Sequence, residues 1–267
     1  MAEGLHVVVD KPLARTAAEG AHLMSEALRQ GRMLTVFQNR RWDGDFLTVR
    51  KLLDEGRLGS PMRFESRFER WRPVVKGGWR ETGAVDEAGG LLYDLGSHLI
   101  DQALLLFGPV THVYAELNRR RPSVEVDDDS FVALTHASGV RSHLFMSAVA
   151  AQPGPRFRVL GSDAAYVKYG LDVQEDALRD NPRLDSAGFG EDPVEAWGKL
   201  GIGDEVVPVR TELGGYQRFY EGLAAGLRSG GRPPVDPADA VAVLEIIEAA
   251  RRSESERGVI ALAERQR

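Results

Sequence analysis

Cysteine is absent from the 267 residues, so disulfides, thiolate metal sites and a cysteine nucleophile are excluded. No apolar run is long enough to cross a bilayer. The N-terminus, MAEGLHVVVDKPLA, has one short apolar run and an early Glu3, unlike a signal peptide; the cytoplasm is the expected compartment. Basic residues do not predominate. The 40 acidic and 34 basic side chains give a net charge of −6, which argues against nucleic acid or an anionic membrane as partner. Internal repeats and low-complexity tracts are missing. So are Gly-x-Ser-x-Gly, the phosphate-loop lysine motif and G-x-G-x-x-G; Gly188-Phe-Gly190 and Gly201-Ile-Gly203 lack a third glycine.

What is present is a globular composition, 43% hydrophobic and 28% charged, in a length that suits one large or two ordinary domains. Residues 6–10 form a short valine run, which predicts a strand covered on both faces. Thr16 and Glu19 make a capping-box pattern that opens a helix to about Gln30, stopped by Gly31. Residues 33–38 read as the next strand, giving a βαβ unit with a right-handed crossover. Asp43 or Asp45 can cap a second helix through Leu53, closed by Gly56 and a turn at Gly59.

Residues 64–71 read as a long strand and 72–88 as a loop. After the helix in 89–108, strands are predicted at 111–117, 129–136, 140–149, 156–161 and 164–169, with Ser138-Gly139 as a hairpin turn. Residues 171–204, rich in Gly, Pro and Asp, are expected to form a long surface loop. Helices at 216–228 and 237–253 follow, the second started by Asp236 before Pro237, and 259–262 is a last short strand. The expected fold is α/β plus α+β: a fragment of parallel sheet, residues 1–39, leading into an open, mostly antiparallel sheet with helices on one face, residues 40–267.

The stretch 89–108, GGLLYDLGSHLIDQALLLFG, carries the candidate chemistry. A helix from about Tyr93 places Asp94, His98 and Asp101 at i, i+4 and i+7, along one stripe. Leu95, Leu99, Ile100, Ala103, Leu104 and Phe107 fill the other faces, so the polar stripe is buried and needs partners, which a ligand pocket would supply. His98 is the best base, since imidazole titrates near working pH; a positioned base is worth ~10²–10⁴ in rate. Asp94 can orient it or hold a substrate hydroxyl. Lys11 lies at the carboxyl end of a parallel strand, the edge where such sheets bind ligands, and Pro12 biases its backbone to an extended form. The plainer reading is a solvated lysine and a histidine satisfied within a core helix. Gly96 costs the helix ~1 kcal/mol against alanine, which close approach of a ligand, a strand or another helix would explain. His136 and His143 flank a hairpin without facing each other, and Asp127 to Asp129 reads as a solvated acidic run rather than a calcium loop.

Taken together, VVVDKPLA.T..E, NRRWDGDFLTVRKLLDEGRLG, WRE, GG..YDLGSHLIDQALLLFG and VKYGLDVQED resemble the Gfo/Idh/MocA oxidoreductases, most nearly their NADP-type scyllo-inositol dehydrogenase branch, over essentially the whole chain. The resemblance implies an NAD- or NADP-dependent dehydrogenase of sugars or polyols, with Lys11, Asp94 and His98 at the reaction centre and in contact with substrate. It also implies Lys11, Pro12, Asn39, Arg40, Trp79 and Arg80 beside the cofactor; as bare residues, Trp79 and Arg80 could equally anchor a loop, and Arg40 and Arg41 could be surface charges. Such proteins open with a complete Rossmann half carrying a glycine-rich turn, whereas this chain starts at what resembles its fifth strand. On the order of a hundred residues are then missing, so Met1 is an internal methionine of a longer chain or the chain is a natural fragment. Binding of NAD(P) is expected to be weak or absent. Two other readings stay open: a non-catalytic oligomerisation or sugar-sensing module, and a glycosidase that uses NAD. The uncovered sheet face is expected to build a homodimer or homotetramer.

Overall fold

A computed structural model describes residues 1–75, 77, 81, 88–180 and 188–263. The chain opens as expected, with β1 (Val7–Asp10) and β2 (Leu34–Phe37) paired in parallel, Asp10 opposite Phe37. Between them runs α1 (Ala17–Arg29), whose first turn is closed by the Glu19 amide donating to Thr16 Oγ1 at 3.1 Å. A short 3₁₀ turn, Asn39–Trp42, leads into α2 (Gly44–Asp54).

Among the described residues the main sheet has nine strands: β3 (Pro61–Glu69), β4 (Val110–Asn118), β5 (Asp129–His136), β6 (Arg141–Ser147), β7 (Phe157–Gly161), β8 (Ala165–Lys168), β9 (Gly198–Ile202), β10 (Glu205–Val209) and β11 (Ile260–Ala261). Their order is β10-β9-β8-β7-β3-β6-β5-β4-β11, and the β3–β6 pair is parallel while the other pairs are antiparallel. Against one face pack α3 (Ser97–Phe107) and α6 (Pro237–Glu256). Period-2 alternation explains which side faces them: Phe64, Phe68, Val132, Leu134, Leu144, Met146, Phe157 and Val159 are buried against Leu99, Ile100 and Ala103 of α3. Burying each large apolar side chain stabilises the fold by roughly 1.5–3 kcal/mol. The opposite face carries Glu65, Arg67, Phe131, His143 and Phe145, aligned across β3, β6 and β5. Two further helices are α4 (Gln174–Asp180) and α5 (Gln217–Ser229).

Three expectations need correction. Residues 171–204 are not a loop throughout: they hold α4, a 3₁₀ turn at Val194–Ala196 and β9, which with β10 extends the sheet. Pairing of Leu200 with Tyr166 of β8 supplies what the glycine-rich local sequence does not. The acidic run at Asp127 to Asp129 is not solvated. Asp127 is half-buried, its carboxylate accepting from the Leu92 amide at 2.8 Å and the Ser130 hydroxyl at 2.7 Å, while the buried Asp128 accepts from Arg121 Nε at 2.8 Å. Asp43 takes the cap position of α2 but makes no side-chain cap bond; its Oδ1 accepts from the Tyr216 hydroxyl at 2.9 Å.

Candidate active site

The expected helix begins as one wider, π-type turn, Leu92–Gly96, that runs straight into α3. Such turns recur at functional sites because they re-aim side chains. Its start is tied down from the segment just before β5: the Leu91 amide donates to the Asp127 carbonyl at 2.9 Å and the Leu92 amide to the Asp127 carboxylate. Gly90 permits this approach, with φ of +98° and space for a Cβ only 2.0 Å from Asp127 Oδ1. The crowding at Gly96 comes from the preceding turn: a Cβ there would lie 3.1 Å from Leu92 Cδ1, with Met146 Cε of β6 at an ordinary contact distance of 3.5 Å.

Lys11 follows β1, and the Lys11–Pro12 peptide is cis. Its ammonium donates to Asp94 Oδ1 at 2.8 Å and also to the Asp94 carbonyl. The lysine side chain is 11% exposed and the aspartate 26%, so this is a partly desolvated ion pair at the carboxyl edge of the small sheet, not a solvated lysine. His98, 5% exposed, lies four residues on, with Nδ1 3.0 Å from Gln38 Oε1 at the end of β2. Burial lowers its pKa well below the ordinary 6.5, and the charges of Lys11, Arg40 and Arg156 lower it further. The ring is therefore neutral at pH 7. With Nδ1–H given to an amide oxygen, Nε2 is the nitrogen left to accept a proton.

Asp101 departs from this group. Its carboxylate takes a bidentate fork from Arg41, Nε to Oδ2 at 2.8 Å and Nη2 to Oδ1 at 2.6 Å, and Arg41 also holds Asp239 at 3.0 Å. The stripe thus splits, with Asp94 and His98 beside Lys11 and Asp101 in a structural ion pair. Arg40 is not a surface charge either. Its guanidinium is buried, donating to the Tyr216 hydroxyl at 3.0 Å and to Glu175, and it lies 5.1 Å from the centre of the Phe68 ring. Asn39 is half-buried at the start of the 3₁₀ turn. Trp79 and Arg80 lie outside the described residues.

Sequence reasoning missed three neighbours. Gln38 ends β2 as Lys11 ends β1, and the same carboxyl-edge rule would have found it. Arg156 is fully buried, with its guanidinium carbon 4.3 Å from the Phe68 ring centre and 4.1 Å from that of Phe157, and Nη2 donating to Gln102 at 3.0 Å. Phe68 stands between the two arginines and His98, its ring centre 6.5 Å from the imidazole. Nothing local marks either residue. His136 is structural, its ring nitrogens on the Gly108 carbonyl and the Ser142 hydroxyl, both at 2.8 Å.

The family model for the GFO/IDH/MocA C-terminal domain matches residues 46–167. The scyllo-inositol 2-dehydrogenase (NADP(+)) IolW of Bacillus subtilis is 38% identical over 263 residues, 97% of this chain and 73% of that protein. The chain belongs to the Gfo/Idh/MocA oxidoreductase family. The solved structure of the YPO2259 putative oxidoreductase from Yersinia pestis superposes with a TM-score of 0.91 at 36% identity, covering 99% of this chain and 75% of that one. A more distant relative, the D-apiose dehydrogenase of Paraburkholderia graminis, is 27% identical over 254 residues, 92% of this chain and 64% of its own length. Among the described residues no helix is long and apolar enough to cross a membrane.

Proposed function

We propose that this chain carries the reaction centre of an NAD(P)-dependent oxidoreductase acting on a secondary alcohol of a sugar or inositol-like polyol. The observation that carries the reading is the Lys11–Asp94 ion pair beside a buried, neutral His98. A nicotinamide cofactor supplies the hydride acceptor when bound. The chain's own groups do the rest. His98 Nε2 takes the hydroxyl proton, the Lys11 ammonium stabilises the developing alkoxide, and Asp94 holds that ammonium in place. Likeness to an inositol dehydrogenase and an apiose dehydrogenase supports the substrate class.

The described residues fit the reacting end of such a cofactor: Lys11 and Gln38 follow two parallel strands at their carboxyl edge, where such sheets bind ligands. The start of α1 offers no anion site of its own, since the Ala17 amide donates to Glu248 at 2.7 Å and the Glu19 amide to Thr16. The rival reading is a non-catalytic sugar-sensing module.

The test is titration of the chain with NADH and NADPH, followed by turnover on inositols and aldoses with His98→Gln alongside. Cofactor binding, with turnover that falls at least ~10²-fold in His98→Gln, supports the dehydrogenase. Turnover unchanged by the substitution sinks the assigned role. Sugar binding without cofactor binding favours the module. We further propose that the outward sheet face, bearing Phe131 and Phe145 with ring centres 4.9 Å apart and Arg67 over Phe145, pairs with a second copy.

A further inference from the structure

We propose that Gln38 is the positioning residue for His98, holding the ring with its proton on Nδ1 so that Nε2 is the bare nitrogen. This deepens the reading of His98 as the base and rests on it.

The geometry is unusually constrained for a glutamine. Its backbone is pinned on both sides, the Gln38 amide donating to the Val36 carbonyl at 2.8 Å and the Arg41 amide to the Gln38 carbonyl at 3.1 Å. The side chain is 2% exposed, and its Oε1 lies 3.0 Å from His98 Nδ1. Because Asp10 pairs with Phe37, the residues that follow, Lys11 and Gln38, leave the two parallel strands side by side. One meets Asp94 and the other His98, so two strand ends grip the same helix start.

The partner's neutrality matters as much as its place. Lys11 from the end of β1, Arg40 from the 3₁₀ turn and Arg156 from the start of β7 all act on His98, and each disfavours the imidazolium; Asp94 shares its helix. A carboxylate at position 38 would oppose those charges and favour a protonated ring, useless as a base. An amide oxygen orients the ring without charging it. An apolar side chain there would strand Nδ1–H in a buried site, and the other tautomer would gain population.

The experiment uses the full chain with ¹⁵N-labelled histidine, reading the two-bond couplings that distinguish the tautomers across a pH titration. The expected result is Nδ1–H for His98 in the wild type, a mixture or inversion of tautomers in Gln38→Leu, and an apparent pKa higher by about one pH unit or more in Gln38→Glu. Nε2–H in the wild type would overturn the proposal, as would a Gln38→Glu titration that does not move. The wild-type tautomer decides even if a variant fails to fold. Turnover separates the two claims. If His98→Gln is fully active, the base reading fails while the tautomer result stands; if the tautomer is wrong while His98→Gln is inactive, Gln38 loses its role and His98 keeps its own.

Discussion

Replacing Asp101 by Ala should cost the protein stability without touching the reacting groups. The structure sets the size of the effect. Asp101 is 3% exposed and Arg41 11% at their side chains, joined by two hydrogen bonds, while the remaining partner of Arg41, Asp239, is 44% exposed. Burial raises the Asp101 pKa above its ordinary value even though Arg41 opposes this, and the desolvation of a buried pair offsets much of its attraction. Removing one partner is another matter, because a buried guanidinium is left with a single, half-solvated carboxylate. Breaking such a pair costs ~3–5 kcal/mol, which for a chain of this size lowers the melting temperature by about 10 °C.

The contrast with a double substitution makes the reasoning refutable. Arg41→Met combined with Asp101→Leu removes both charges and fills the space with apolar atoms, and buried pairs replaced in this way are often neutral or stabilised. Thermal and urea unfolding of the wild type, the single and the double variant should therefore rank the single lowest and return the double to within about 1–2 kcal/mol of the wild type. A single variant within 1 kcal/mol of wild type, or a double as unstable as the single, would show that Asp101 is not held as described. In all three proteins the His98 resonances should keep their tautomer, since Gln38 is untouched.

Asp127→Ala should destabilise by about 1–3 kcal/mol, because it strands the buried Leu92 amide, read by urea unfolding. Gly90→Ala should be worse than a simple loss of glycine freedom, as its Cβ would meet the Asp127 carboxylate; a variant as stable as wild type would contradict that approach. His98 has a folded-state pKa below its ordinary 6.5, so the unfolded chain binds its proton first and the contribution to stability is lost as pH falls below 6.5. The wild type should therefore lose up to about 1.4 kcal/mol per pH unit more than His98→Gln on acidification, measured by urea midpoints between neutral and mildly acid pH. Phe145→Asp, on the outward face, should leave the fold intact and shift a homo-oligomer toward monomer in light scattering.

Legibility of the sequence followed the range of the interactions. Thr16 with Glu19 and Asp236 before Pro237 are local caps, and both close as their spacing implies. Strand β5 showed its ends because its alternation runs unbroken through Asp129–His136. β9 did not, since Gly198 and Gly201 interrupt any pattern and the strand is defined by β8 beside it. Asp127 and Asp128 looked solvated because nothing local announces that Arg121 folds back or that a helix start docks on the segment before β5. At the site, Lys11 was readable from its place after a parallel strand. Gln38 obeys the same rule one strand over, but an uncharged side chain carries no mark of chemistry. Arg156 resembles any strand-end cation until two phenylalanine rings are seen to enclose it.

A histidine whose pKa is pushed down by burial, and further by three cations, looks at first like a poor base. The field that weakens it also acts on the substrate. Lys11, Arg40 and Arg156 disfavour the imidazolium, but the same positive potential favours an alkoxide at the neighbouring hydroxyl. Moving a proton from that hydroxyl to Nε2 creates both charges at once, so the penalty on one is offset by the gain on the other. The transferred proton then sits next to a negative oxygen, and the ion pair is neutral overall. What the field does penalise is a proton arriving from solvent, with no alkoxide to accompany it. Under the proposed mechanism the site therefore stays deprotonated until an alcohol is bound. Lys11→Met removes one of the three cations and should raise the His98 pKa in the free protein, a shift that the same ¹⁵N titration reads; an unchanged or lower pKa would mean that the lysine does not act on the ring.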